Sequence, residues 1–121
     1  MCKMEIIKVG IIGSRSFVNW IDGYKRINPY YNKYKFTHII SGGAKGADKI
    51  AKMYANDYGF KYIEYPADWK KHGKEAGFIR NFDIVNNSDF IIAFWNGKSR
   101  GTQHSINLAG ELGKEVYIER F

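Results

Sequence analysis

The sequence predicts a three-layer α/β domain: a parallel sheet of about five strands with helices on both faces. Two observations carry this. Short runs of β-branched, aliphatic and aromatic residues alternate with longer segments of helical periodicity, the pattern of strands joined by helical crossovers. Gly-rich loops follow the first, second and fourth of these runs, where a strand has to turn sharply into a helix. The 121 residues are enough for one domain with a real core and too few for two, so residues 1–121 are expected to form a single unit.

The first strand is expected at residues 6–12, nearly continuous in apolar residues and so suited to burial on both faces. It ends in the small-residue loop Gly13-Ser14-Arg15-Ser16. In residues 17–34, Trp20, Tyr24 and Ile27 have helical spacing, and Asn28-Pro29 is expected to stop that helix. Tyr30, Tyr31, Tyr34 and Phe36 then lead into a strand at 37–40. This strand breaks at Ser41-Gly42-Gly43 and restarts as a helix with Ala47, Ile50, Ala51, Tyr54, Ala55 and Tyr58 inward, capped by Gly59. A third strand, 61–65, stops at Pro66, and a polar loop at 67–74 carries Asp68 and Trp69. The next helix, from about residue 75 to 87, is read with Phe78, Ile79, Phe82 and Val85 on its buried stripe. Strand 90–95, the loop 96–102, a helix at 103–112 with Thr102 as its N-cap, Gly113 and a strand at 115–118 complete the chain.

Loops that follow parallel strands share the carboxyl-terminal edge of the sheet, where open α/β folds bind ligands at the point of strand-order reversal. Gly42, Gly43 and Gly46 suit a plain tight turn. Before a helix start, with its unpaired N–H groups and positive dipole end, they also suit an anion. Ser14 and Arg15 offer a hydroxyl and a bidentate phosphate donor. Ser41, Lys45, Lys98, Ser99, Arg100, Gly101 and Thr102 belong to the same mouth. Asp48 would repel a phosphate, so its role is either a helix cap or a partner for ribose hydroxyls or an amine. Arg80-Asn81 is placed near the sheet edge with Glu75 as a loose partner of Arg80. Trp69 and Trp95 are candidates for stacking on a base, although Trp95 also suits the core. Glu75 and Asp68 are the candidates for general acid–base work; His72 and His104 are read as surface or capping residues.

The net charge is +7, from 19 basic and 12 acidic residues, which favours an anionic partner. The lysines look scattered, and Lys25-Arg26 and Lys70-Lys71 are the adjacent basic pairs. Cys2 is the single cysteine, so no internal disulfide forms, and so near the chain start it is not read as a nucleophile. The scattered histidines give no metal-ligand spacing, and neither metal nor cofactor is expected. No apolar window has the length of a membrane span, and a cytoplasmic location is expected.

In order along the chain, Gly13-Ser14-Arg15, the stretch from Ser41 to Asp48, Pro66-Ala67-Asp68-Trp69, Ala76-Gly77 with Arg80-Asn81, and Ser99-Arg100-Gly101-Thr102 resemble the YspA-type, YpsA-related branch of the SLOG superfamily. That superfamily is similar across the lonely-guy phosphoribohydrolases, the DNA-processing protein A group and SLOG domains that sense NAD-derived signals. The resemblance implies a Rossmann-like domain that binds a nucleotide, NAD or ADP-ribose derivative, such as a cyclic nucleotide signal, at the glycine loops. Lonely-guy enzymes carry Gly-Gly-x-Gly-Thr-x-x-Glu; here Arg100 stands for a Gly and Ser105 for the Glu, which argues against catalysis.

Sensing or sequestering such a ligand is therefore the expected function. A stand-alone domain without an effector suits a sponge carried by a phage or mobile element. The alternatives are a nucleotide N-glycosidase using Glu75 or Asp68, and single-stranded nucleic-acid binding. Tyr30, Tyr31, Tyr34 and Phe36, read as exposed aromatics, together with the pairing habit of SLOG relatives, point to a homodimer or dimer-based tetramer.

Overall fold

In the computed structural model, which describes residues 5–121, the apolar runs form five strands. They are β1 (Lys8–Gly13), β2 (His38–Ser41), β3 (Lys61–Glu64), β4 (Phe90–Trp95) and β5 (Glu115–Arg120). Between them lie helices α1 (Trp20–Tyr34), α2 (Ala47–Tyr58), α3 (Trp69–His72), α4 (Ala76–Asn87) and α5 (Arg100–Glu111), with a 3-10 turn at Gly73–Glu75 joining α3 to α4. Cys2 lies outside the described residues. No helix among the described residues is long and apolar enough to cross a membrane.

Every strand pair is parallel and the order is β3-β2-β1-β4-β5. The expected α/β class with its parallel sheet is the one observed. The order reverses between β1 and β4, so a crevice opens there at the carboxyl ends of the strands. Alternation along the strands divides the core. Val9, Ile11, Ile39, Ile92 and Phe94 face the helices α1 and α2 with Ile27, Ile50, Ala51 and Tyr54. Ile12, Ile40, Ile91 and Ala93 face the opposite layer with Ile84, Val85 and Ala109 of α4 and α5. Period-2 strands and period-3.6 helices thus bury both sheet faces.

Four expectations are corrected. Helix α1 does not stop at Asn28-Pro29 but runs through Pro29 to Tyr34, ending on Lys35 at φ 52°. An internal proline forfeits a helical hydrogen bond, at a cost of about 3 kcal/mol. The last turn offsets this by packing the half-buried rings of Tyr30, Tyr31 and Tyr34 against the core. Tyr30 donates its hydroxyl to Glu119 at 2.6 Å, Tyr34 hydrogen-bonds Tyr117, and Tyr31 sits 5.3 Å edge-on from both Phe36 and Phe60. These rings are packed within the chain, which removes the bare aromatic patch on which self-association was argued. The segment expected as a polar loop forms α3, because Asp68 Oδ1 caps it by accepting from Lys71 N–H at 3.1 Å. Helix α5 starts three residues earlier than expected, with Ser99 rather than Thr102 as its N-cap.

The fourth correction concerns the buried stripes. On α4 the inward residues are Ala76, Asn81, Ile84 and Val85, while Phe78 and Phe82 are 55% and 44% exposed. On α2, Tyr58 is 56% exposed, resting at the rim against Tyr24 and Tyr54. Both helices have more apolar residues than one face needs, and the stripe alone did not say which face turns inward.

Gly46 fixes how closely the loop after β2 approaches the loop after β1. Its φ is +74°, and a Cβ there would stand 2.5 Å from the Ser14 and Arg15 carbonyl oxygens. Gly59 has the same φ of +74° with nothing within 4 Å. Gly46→Ala should therefore lower stability by about 2–4 kcal/mol, through strain plus backbone collision, and Gly59→Ala by about 1 kcal/mol through strain alone. Thermal melts of both variants check this, and equal losses would show that the loop approach contributes nothing.

Candidate functional site

The crevice between β1 and β4 is a cleft of about 450 Å3. Four chain segments build it. From β1 and its loop come Ile12, Gly13, Ser14, Arg15 and Ser16. The loop after β2 and the start of α2 add Ala44 and Asp48; α4 adds Arg80, Asn81 and Ile84. The loop after β4 and α5 add Asn96, Ser99, Gly101, Thr102 and Ser105.

Ser14 joins these segments. Buried at the end of β1, it donates its N–H to Phe94 O at 2.8 Å and accepts Asn96 N–H on its hydroxyl at 3.4 Å. Its carbonyl accepts the N–H groups of Phe17 at 3.2 Å and Ala47 at 3.3 Å. Gly13 has no room for a side chain, since a Cβ would lie 2.3 Å from Phe94 O. Arg15 follows immediately and is exposed at the cleft wall.

Asp48 is the carboxylate of the cleft lining, 6% exposed, and accepts Ala44 N–H at 3.2 Å. Burial pushes its carboxyl above the ordinary value, while the Ala44 N–H and the charge of Arg80 pull the other way. Arg80 crosses above Gly42, donating from Nη1 to Gly42 O at 3.2 Å and from Nε to Asn81 Oδ1 at 3.1 Å. A Cβ on Gly42 would come within 2.5 Å of that Nη1, so the glycine makes room for the guanidinium. Asn81 in turn donates to Gly101 O at 3.3 Å and is 3.2 Å from His104 Nδ1, tying α4 to the first turn of α5. With its amide donating, His104 Nδ1 is the acceptor. Ser99 Oγ accepts Thr102 N–H at 3.4 Å and lies 3.0 Å from Thr102 Oγ1.

Of the sequence candidates, the fold brings Gly13, Ser14, Arg15, Asp48, Arg80, Asn81, Ser99, Gly101 and Thr102 to the cleft, with Gly42 beneath Arg80. Ser41 is buried below it and donates its hydroxyl to Ile11 O at 2.8 Å. Gly43 and Lys45 line an adjoining groove instead. Lys98 and Arg100 are exposed on the loop after β4 and at the start of α5. Glu75 is not Arg80's partner; it lies with Phe78 and His104 along the outer seam of α4 and α5. Asp68 caps α3, and Trp69, 56% exposed, is not among the cleft residues. Trp95 has its own partners, donating Nε1–H to Ser99 O at 3.1 Å with the Arg120 guanidinium 5.3 Å from its ring centre.

Ile12, Ser16, Ala44, Ile84 and Asn96 line the cleft without having been singled out. Asn96 had a readable signal, as an Asn closing a strand before a glycine, and its Oδ1 accepts both Lys98 and Ser99 N–H groups at 2.8 and 2.9 Å.

The YspA, cpYpsA-related SLOG family matches this chain over residues 7–72. Gene 61 protein of Mycobacterium phage D29 is 40% identical over 84 residues, covering 64% of this chain and 67% of that protein. DNA processing protein A from Helicobacter pylori, whose structure is described for a single-stranded DNA binding mode, is similar with a TM-score of 0.69. Its identity is 23%, over 93% of this chain, and the likeness is one of fold. The chain spans 64% of that protein's length.

Because Asp48's folded carboxyl is raised, the folded state binds its proton more readily than the unfolded chain does. The resulting stability penalty is present above the folded value and fades as pH falls through it toward the ordinary value of about 3.9. Asp48→Asn should therefore melt at or above the parent at neutral pH, and the parent should gain on the variant as pH is lowered. Melts across pH 4–8 would show this; a variant less stable throughout would mean that the carboxylate holds the loop.

Proposed function

Because the chain belongs to the YspA, cpYpsA-related SLOG family, we propose that its cleft binds a nucleotide-type ligand. Phosphate lies against Arg15 and the first turn of α5, and sugar hydroxyls lie against Asp48. The observation that carries this is the shared floor of the cleft, where the Arg80 guanidinium and the buried Asp48 carboxylate face the same space without forming an ion pair within 4 Å. An anion alone would not tolerate the carboxylate, and a cation alone would not tolerate the arginines. A nucleotide offers an anion and hydroxyl donors on one molecule. The cleft volume is in the range of small-molecule sites, about 300–1,000 Å3.

The ligand class is NAD- or ADP-ribose-derived, bound and held rather than cleaved. N-glycosidic cleavage needs a carboxyl group at the scissile bond. Ser105, 2% exposed in the cleft wall, has none to offer, and Glu75 and Asp68 lie elsewhere. The carboxyl group in the cleft is Asp48, seated in this reading against the sugar hydroxyls, and recovery of intact ligand separates holding from cleavage through it. A relative encoded by a phage supports the reading of a sponge that sequesters an immune signal.

Isothermal titration against ADP-ribose, cyclic ADP-ribose isomers, NAD and AMP tests the proposal. At least one should bind and be recovered intact by chromatography. Arg15→Ala removes an exposed, charge-assisted donor worth about 1.5–3 kcal/mol, so affinity should fall about tenfold to a hundredfold with unchanged melting. Binding by none of them, or an Arg15→Ala variant as tight as the parent, would overturn this assignment.

A further inference from the structure

We infer that the binding site continues past Ala44 and Asp48 onto the lysine face of α2, where it takes a second phosphate group of the ligand; this rests on the reading of the cleft as a nucleotide site. Beside the cleft runs a groove of about 430 Å3, lined by Gly43, Lys45, Lys49, Lys52, Tyr62 and Glu64 among others. Ala44 and Asp48 belong to both spaces, so the groove is the cleft's direct continuation across the loop after β2.

The lysines that look scattered in sequence are gathered by the fold. Lys49 and Lys52, three residues apart, stand on one side of α2, and Lys45 of the entry loop lines the same groove. Like charges at that spacing repel. Lys49 and Lys52 also occupy the N-terminal half of the helix, the end whose dipole disfavours cations. All three are exposed, and the ion pairs among the described residues, Arg26 with Asp22 and with Glu119, include none of them. The exposed carboxylate in the groove is Glu64, which lies against Gly43 and accepts the Tyr62 hydroxyl at 3.2 Å. Three cations facing one such carboxylate, with a tyrosine ring as wall, fit a phosphate that follows a sugar seated at Asp48.

That phosphate has two possible sources: the second phosphate of a dinucleotide-type small molecule, or the next phosphate along a single strand. Binding of AMP, ADP-ribose and tetrathymidylate is measured for the parent and for a triple variant, Lys45→Ala, Lys49→Ala and Lys52→Ala. The parent should bind ADP-ribose or tetrathymidylate about tenfold or more tightly than AMP, and the triple variant should lose that gain while binding AMP as the parent does. The longer probe that loses affinity identifies the source, with a steeper salt dependence for the strand. If the gain survives in the variant, or AMP weakens by the same factor, the second site is refuted and the cleft reading stands. If the parent binds none of the three probes, the second site is refuted, and the cleft reading falls with it only when NAD and the cyclic ADP-ribose isomers fail to bind as well.

Discussion

The structure depends on how closely three loops approach one another around the backbone of Ser14. Its N–H extends the β1–β4 ladder to Phe94 O at 2.8 Å, and its carbonyl receives the starts of two other segments through Phe17 and Ala47. At a reversal of strand order the loops on either side diverge toward opposite sheet faces, and a crevice follows from the topology alone. What topology does not supply is a fixed width. Buried backbone groups must be paired, and at Ser14 those pairs run to the loops after β1, β2 and β4 at once, the last also through Asn96 N–H. Side chains on Gly13 or Gly46 would collide with backbone oxygens at 2.3 and 2.5 Å, so the approach is set by glycine and by hydrogen bonds together.

The fourth wall has a different origin. Helix α4 presents Asn81 inward beside Ile84 and Val85, and carries Phe78 and Phe82 outward. A helix that only covered a sheet would reverse this. Asn81 is 7% exposed, yet both ends of its amide are used: it accepts from Arg80 and donates to Gly101 O. Buried polar groups are tolerated when so satisfied, and then they fix geometry. Here they aim the guanidinium over Gly42 toward Asp48.

This division explains what could be read from the sequence. The alternation of strand-like and helix-like segments was legible because period and length are local properties, and the glycine loops were legible because sharp turns restrict residue type. Gly13, Ser14, Arg15, Asp48, Arg80, Asn81 and Thr102 all reach the cleft, as their positions after strands or on helix starts implied. Which face of α4 turns inward was not legible, since Phe78, Ile79 and Phe82 form a stripe as regular as any core stripe. The passage of α1 through Pro29 depends on Glu119 and Tyr117, about ninety residues away, whose contacts no local signal encodes. Asp68 and Trp69 follow Pro66 in a motif-like run, but Asp68 is engaged in capping α3, and the cleft lies elsewhere.

The arrangement of Arg80 and Asp48 follows from the same crossover that reverses the strand order. After β3 at the sheet edge, the chain must pass β2 and β1 to enter β4 on the far side, so α4 packs on the face opposite α2. Its first turns therefore start near the carboxyl ends of the strands, and Arg80 meets Gly42 just beyond β2. Asp48 approaches from the other layer, in the first turn of α2. A cation from one helix layer and a carboxylate from the other thus meet across the gap between their loops, and neither loop alone holds both. Burial raises Asp48's carboxyl, and Arg80's positive charge partly offsets that cost without closing into an ion pair. Unpaired, the carboxylate keeps acceptor capacity and the guanidinium keeps donors for whatever enters between them.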